Sequence, residues 1–85
     1  MSLITLYTTA ICPYCIAARR FLAQRGLEFR EIRVDTEPQR RVEMRERSRR
    51  HTVPQIFVGE QHVGGFDDMI ALDRQGGFMP MLEGT

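Results

Sequence analysis

Cys12 and Cys15 are the only thiols in the chain, and two residues separate them in the run Cys12-Pro13-Tyr14-Cys15. A pair at that spacing can close into a small disulfide ring and reopen without unfolding its surroundings. Its chemistry is thiol-disulfide exchange rather than stapling. An apolar, β-prone run precedes the pair and a helical pattern follows it, which puts Cys12 at a helix N-cap. Pro13 then takes the first helical position, where a missing N–H does no harm. The first amides of a helix have no intrahelical acceptor and carry partial positive charge. That setting favours a thiolate, the nucleophilic form, so Cys12 is expected to attack. Cys15, one turn further in, is expected to be less exposed and to resolve the mixed disulfide that Cys12 forms.

The elements that must position this pair fit in one domain, residues 1–85, with no room for a linker or second domain. With 42% hydrophobic and 27% charged residues, the chain reads as globular, neither disordered nor membrane-spanning. Its net charge of +1 gives no general pull toward polyanions. Every basic side chain is arginine and none is lysine, which excludes Schiff-base chemistry. Met1-Ser2-Leu3-Ile4-Thr5-Leu6 lacks the basic and long apolar regions of a secretory signal, so a cytoplasmic location is expected. In a reducing cytosol a Cys-x-x-Cys pair is more often catalytic or metal-binding than structural.

Leu3 to Tyr7 reads as a first strand. Pro13 to Arg25 carries Cys15, Ala18, Phe21 and Leu22 at helical spacing and stops at Gly26. Phe29 to Val34 reads as a second strand. Glu37 to Ser48 follows as a helix capped by Thr36, with Val42 and Met44 facing the core. Val53 to Val58 and Gln61 to Val63 form a hairpin about Gly59-Glu60. Asp67 or Asp68 caps a third helix bearing Met69, Ile70 and Leu72, ended by Gly76-Gly77. Phe78 to Leu82 is apolar enough for a further short turn or helix, with Met79 and Met81 as core filler. The order β-α-β-α-β-β-α, with the thiols at the first strand-to-helix junction, is that of the α/β thioredoxin fold: a four-stranded mixed sheet flanked by three or more helices.

Three motifs in this order, Cys12-Pro13-Tyr14-Cys15, Thr52-Val53-Pro54 and Gly64-Gly65-Phe66-Asp67-Asp68, resemble the glutaredoxin family over nearly the whole chain. The Pro-Tyr dipeptide resembles its dithiol branch. The resemblance implies a cis peptide before Pro54 and a Val53 backbone offered to an extended peptide, which in this family is glutathione. Tyr14, Thr52, Val53, Pro54 and Gly65 would then line its groove. The amides of Phe66 and Asp67 would hold the γ-glutamyl carboxylate at a helix N-terminus, Asp67 or Asp68 would meet the ammonium, and Arg41 would face the glycine carboxylate. The implied activity is reduction of protein disulfides and glutathionylated proteins by a monomer, with glutathione as co-substrate and no metal. Ribonucleotide reductase is one client that the resemblance suggests.

The sequence departs from the family pattern at three points. Thr9 stands where many relatives have a lysine, leaving Arg19 to compensate in part. Arg49 follows the serine ending the second helix, where relatives often have glycine, and is strained if the site needs positive φ. Phe66 makes the floor of the γ-glutamyl site bulkier than usual. Other readings are weighed beside this one. A structural zinc site lacks ligands at suitable spacing, because His51 and His62 have none. An electron donor recharged by thioredoxin reductase, and a glutathione-ligated iron-sulfur carrier, are the alternatives of function. The arginines from Arg40 to Arg50 could mark a nucleic-acid patch, but Glu43 and Glu46 interleave with them and no aromatics accompany them. They read as a solvated helix face.

Overall fold

Every residue of the strand Ile4–Thr8 (β1) is buried, because β1 is covered on both faces and flanked on both edges. In the computed structural model, which describes residues 2–83, it is followed by α1 (Pro13–Gln24), β2 (Arg30–Arg33), α2 (Pro38–Ser48), β3 (Gln55–Val58), β4 (Gln61–Gly64), α3 (Phe66–Arg74) and α4 (Phe78–Glu83). The strands form one sheet in the order β2-β1-β3-β4. β1 runs parallel to β2 and antiparallel to β3, which pairs antiparallel with β4. This is the expected mixed sheet, and the short helix α4 brings the helices to four.

Alternation along the strands divides the core between two faces. Ile4, Leu6, Ile56 and Val58 point to one side, where Ala18 and Leu22 of α1, Met69 of α3, and Phe78 and Leu82 of α4 cover them. Tyr7, Ile32 and Phe57 point to the other side and meet Met44 of α2 and Val34. On this thinner face polar groups complete the packing. The buried Tyr7 hydroxyl donates to Glu43 and accepts from Arg47 at 2.9 Å, and Arg40 holds the other Glu43 oxygen at 2.8 Å. Burial, and then the Glu43 contact, push the Tyr7 phenol above its ordinary pKa. The Arg47 guanidinium also lies 4.0 Å from the Phe57 ring centroid, a cation–π arrangement.

Several local expectations are corrected. Val42 is 54% exposed instead of facing the core. Met44 and Ser48 are the buried positions of α2, and at 3.6 residues per turn Val42 lies about 160° from Met44. Thr36 bonds back to the Arg33 carbonyl, and the N-cap of α2 is Glu37, which makes no side-chain cap bond. α3 begins earlier than its aspartates suggest. Gly65 is the N-cap, and Asp68, inside the first turn, accepts the Gly65 N–H at 2.8 Å. The second and third strands are shorter than expected, since Phe29, Val53 and Pro54 lie outside the ladders.

Candidate active site

The loop between β1 and α1 sets the thiols in place from both sides. At its start the Asp35 carboxylate, itself paired with Arg33, accepts the Ala10 N–H at 3.0 Å. These donors hold the Asp35 carboxyl far below the ordinary carboxylate range. At its end Cys12 is the N-cap of α1, extended at φ −153, with Pro13 in the first turn. Its sulfur takes the part that a serine oxygen takes elsewhere: Sγ accepts the Cys15 N–H at 3.2 Å. The helix therefore begins on the reactive atom. This bond points the Cys15 N–H, one of the first amides of α1, at the reactive sulfur.

The two thiols differ in access and environment. Cys12 is 8% exposed and Cys15 0%, so only the first can be reached from solvent. Burial, reinforced by the neighbouring Cys12, pushes the Cys15 thiol up to about 12, while the Thr9 backbone amide and Arg19 oppose that shift. Thr9 thus contributes a backbone amide toward Cys15. Arg19 is held by Glu31 at 2.6 Å, and Glu31 also accepts the Thr8 hydroxyl.

Opposite the thiols, the Val53-Pro54 peptide is cis, and the Val53 carbonyl accepts the Cys12 thiol at 3.7 Å. A groove of about 290 Å³ opens here, lined by Tyr14, Thr52, Val53, Pro54, Gly65, Phe66, Asp67 and Asp68. These are the residues selected from the sequence for the binding surface, apart from Arg41, which lies on α2 outside the lining. Tyr14 and Phe66 face one another across the mouth, with ring centroids 6.2 Å apart. With the Gly65 amide taken by Asp68, the amides of Phe66 and Asp67 are the first of α3, where a helix offers donors to an anion.

Three participants were not picked from the sequence. Gly64 has φ +121, and a Cβ there would overlap the Asp68 carboxylate; its sharp constraint belongs to the first glycine of the pair, not the second. Arg50 bonds Asp68 at 2.8 Å. With the Gly65 amide, it holds the Asp68 carboxyl below the ordinary range. Ile11, next to Cys12 in the chain, is an apolar side chain left 93% exposed. An apolar residue in a polar loop, directly before the thiol, was the available signal for Ile11. Arg50 was hidden in a run of arginines. His51 is exposed, while His62 is half-buried, bonds Gln55 at 2.6 Å and stacks on Phe57. Among the described residues no three His, Cys, Asp or Glu side chains gather as a metal-ligand cluster.

The glutaredoxin family model matches residues 4–63. The chain is 46% identical over 83 residues to glutaredoxin 3 of Escherichia coli strain K12, covering 98% of this chain and all of that one. Among solved structures, it is similar to the glutaredoxin of Brucella melitensis, at 48% identity and TM-score 0.84, with 96% and 89% of the two chains covered. It is also similar to a buckwheat glutaredoxin-glutathione complex, at 26% identity and TM-score 0.88, with 96% and 77% covered.

Proposed function

Because this chain belongs to the glutaredoxin family and is a glutathione-dependent thiol-disulfide oxidoreductase, we propose the course of its reaction from the two sulfurs and the groove. The observation that carries it is the Cys12 sulfur, capping α1 and opening beside Val53. The Cys12 thiolate attacks the glutathione sulfur of a glutathionylated protein. A Cys12-glutathione disulfide forms, and the protein leaves as a thiolate that takes a proton from water. A second glutathione thiolate then attacks the bound glutathione sulfur, releasing oxidised glutathione and the Cys12 thiolate.

Protein disulfides take the second thiol. Cys12 attacks one client sulfur and the other leaves as a thiolate. Once Cys12 is in a disulfide its charge is gone, and with it one of the causes that hold the Cys15 proton. Cys15 can then ionise and attack Cys12, which frees the client and leaves the Cys12-Cys15 disulfide. Two glutathione molecules reduce it and depart as oxidised glutathione.

In the groove, the fit to glutathione is chemical. The Phe66 and Asp67 amides would receive the γ-glutamyl carboxylate, and the carboxylates of Asp67 and Asp68 would face the ammonium. The Thr52-Val53-Pro54 turn would pair with the extended backbone beside Tyr14. Arg41 of α2 would meet the glycine carboxylate in this reading, although it does not line the groove. The working form in this reading is a monomer, on the family resemblance. Its compartment is the cytoplasm, where glutathione keeps thiols reduced. Ribonucleotide reductase is one client, on the family resemblance alone.

The test is steady-state reduction of a glutathione mixed disulfide, coupled to glutathione reductase and NADPH. Turnover by the unaltered protein and none by Cys12→Ser is the expected result. Turnover that persists in Cys12→Ser, or that thioredoxin reductase supports and glutathione does not, overturns the proposal.

A further inference from the structure

The arginines divide by partner. Arg19, Arg25, Arg33, Arg40 and Arg50 each meet a carboxylate at 2.6–2.8 Å, and Arg47 bonds Tyr7 and Gly59. Arg41 and Arg45 lie four residues apart on one face of α2, and Arg49 follows at its left-handed C-cap; like Arg20, Arg30 and Arg74 elsewhere, they have no such partner among the described residues. Beside them Val42 is 54% exposed. Val42, Arg45, Glu46, Arg49, Arg50 and His51 line a groove of about 430 Å³, in which Glu46 is the one carboxylate against three guanidinia. Arg49 is also the one non-glycine residue at positive φ among those described, at φ +61, a conformation that favours glycine. The chain sets a guanidinium where the backbone asks for no side chain at all.

This groove adjoins the thiol site. Arg50 lines it and bonds Asp68 of the other groove. From Arg49 to Val53, four residue steps span at most about 14 Å. We infer that the groove docks an acidic stretch of the client protein, about three to five residues from the cysteine that reacts with Cys12. Client carboxylates meet Arg45, Arg49 and His51, and client apolar atoms cover Val42. Protein fits better than nucleic acid: the lining has no Phe, Tyr or Trp platform for successive bases and only the single imidazole of His51, and the site next to it acts on polypeptide. The inference rests on the proposed reduction of proteins at Cys12.

It is tested with two glutathionylated peptides, one carrying glutamates three to five residues to either side of its cysteine and the other serines there. A small glutathione mixed disulfide is the third substrate. With the unaltered protein at low ionic strength, kcat/KM should favour the acidic peptide on the order of ten-fold, and the preference should shrink as salt shortens the Debye length below about 10 Å. The double variant Arg45→Gln/Arg49→Gln should lose the preference and keep its rate on the small substrate. Arg49→Gly should weaken the preference while raising the unfolding midpoint, two changes that a purely structural role could not combine. Equal rates on the two peptides, a preference that survives in the double variant, or salt-sensitive binding of a random oligonucleotide without peptide discrimination would overturn the inference. Loss of all turnover on the small substrate in the unaltered protein would overturn the proposed function with it.

Discussion

Helices α1 and α2 both begin with proline and both end in a left-handed turn, but they treat their ends oppositely. α1 is capped by the sulfur of Cys12 and stops at Gly26, whose φ is +68. α2 starts at Glu37 with no side-chain cap bond and stops at Arg49, whose φ is +61. Their inner faces differ as well. α1 buries Cys15, Ala18 and Leu22 against the larger core, while α2 buries Met44 and Ser48 and is otherwise tethered by Tyr7, Glu43 and Arg47. The lesson is a division of labour. Tight apolar packing holds the helix that carries the reactive atom, and looser polar anchoring leaves the other helix free to display cations.

The contrast is broken most severely from inside. Leu22→Ala removes a fully buried side chain of α1 and should cost about 2–5 kcal/mol, whereas Val42→Ala on the open face of α2 should change stability by less than about 0.5 kcal/mol. Denaturant unfolding of both variants reads the difference, and equal losses would mean that α2 is packed as tightly as α1.

The helix ends should respond with opposite signs. Gly26→Ala should lose about 1–2 kcal/mol by forcing a side chain into the left-handed region. Arg49→Gly should gain about 0.5–1 kcal/mol, the strain relieved less the extra freedom of glycine in the unfolded chain. A thermal melt in which both move the same way would contradict the comparison.

Titration sharpens it further. The folded-state pKa of Cys15 is raised to about 12, so the stability it confers on the reduced protein is fully present below the unfolded thiol value near 8.5. That stability is lost as pH rises toward 12, and Cys15→Ser should flatten the decline. Asp68 has the opposite sign. Its folded pKa is lowered, first by Arg50 and then by the Gly65 amide, so its contribution is present above the unfolded value near 3.9 and is lost as pH falls through the folded one. The side chain is 46% exposed, so Asp68→Asn should cost no more than about 1 kcal/mol at neutral pH. An acid titration of unfolding that is unchanged in this variant would count against the bonds of Asp68 to Arg50 and to the Gly65 amide.

Much of this was legible before any coordinates. The Cys-Pro-Tyr-Cys run sits where a strand gives way to a helix, and the resemblance of Thr52-Val53-Pro54 and of Gly64 to Asp68 to glutaredoxin motifs pointed to the residues that share a groove. What stayed hidden depends on contacts across the sheet. Val42 and Met44 are equally apolar, and only the bonds of Glu43 and Arg47 to Tyr7 decide which of them turns inward. Asp68 announces a cap, but whether it acts from outside α3 or from its first turn follows from Gly64 at positive φ, which lets the carboxylate fold back on Gly65. Arg50 is one arginine among many until Asp68 is beside it.

The central claim is that Cys12 alone is the attacking sulfur and that Cys15 resolves. Its most direct measurement is mass spectrometry of the Cys12→Ser and Cys15→Ser variants, side by side, after reaction with oxidised glutathione. One glutathione on Cys12 of Cys15→Ser, released quantitatively by added glutathione, and none on Cys15 of Cys12→Ser over the same time is the predicted result. An absence of adduct on Cys12 would contradict the account, since a sulfur that caps α1 and opens on the groove would then not be the nucleophile.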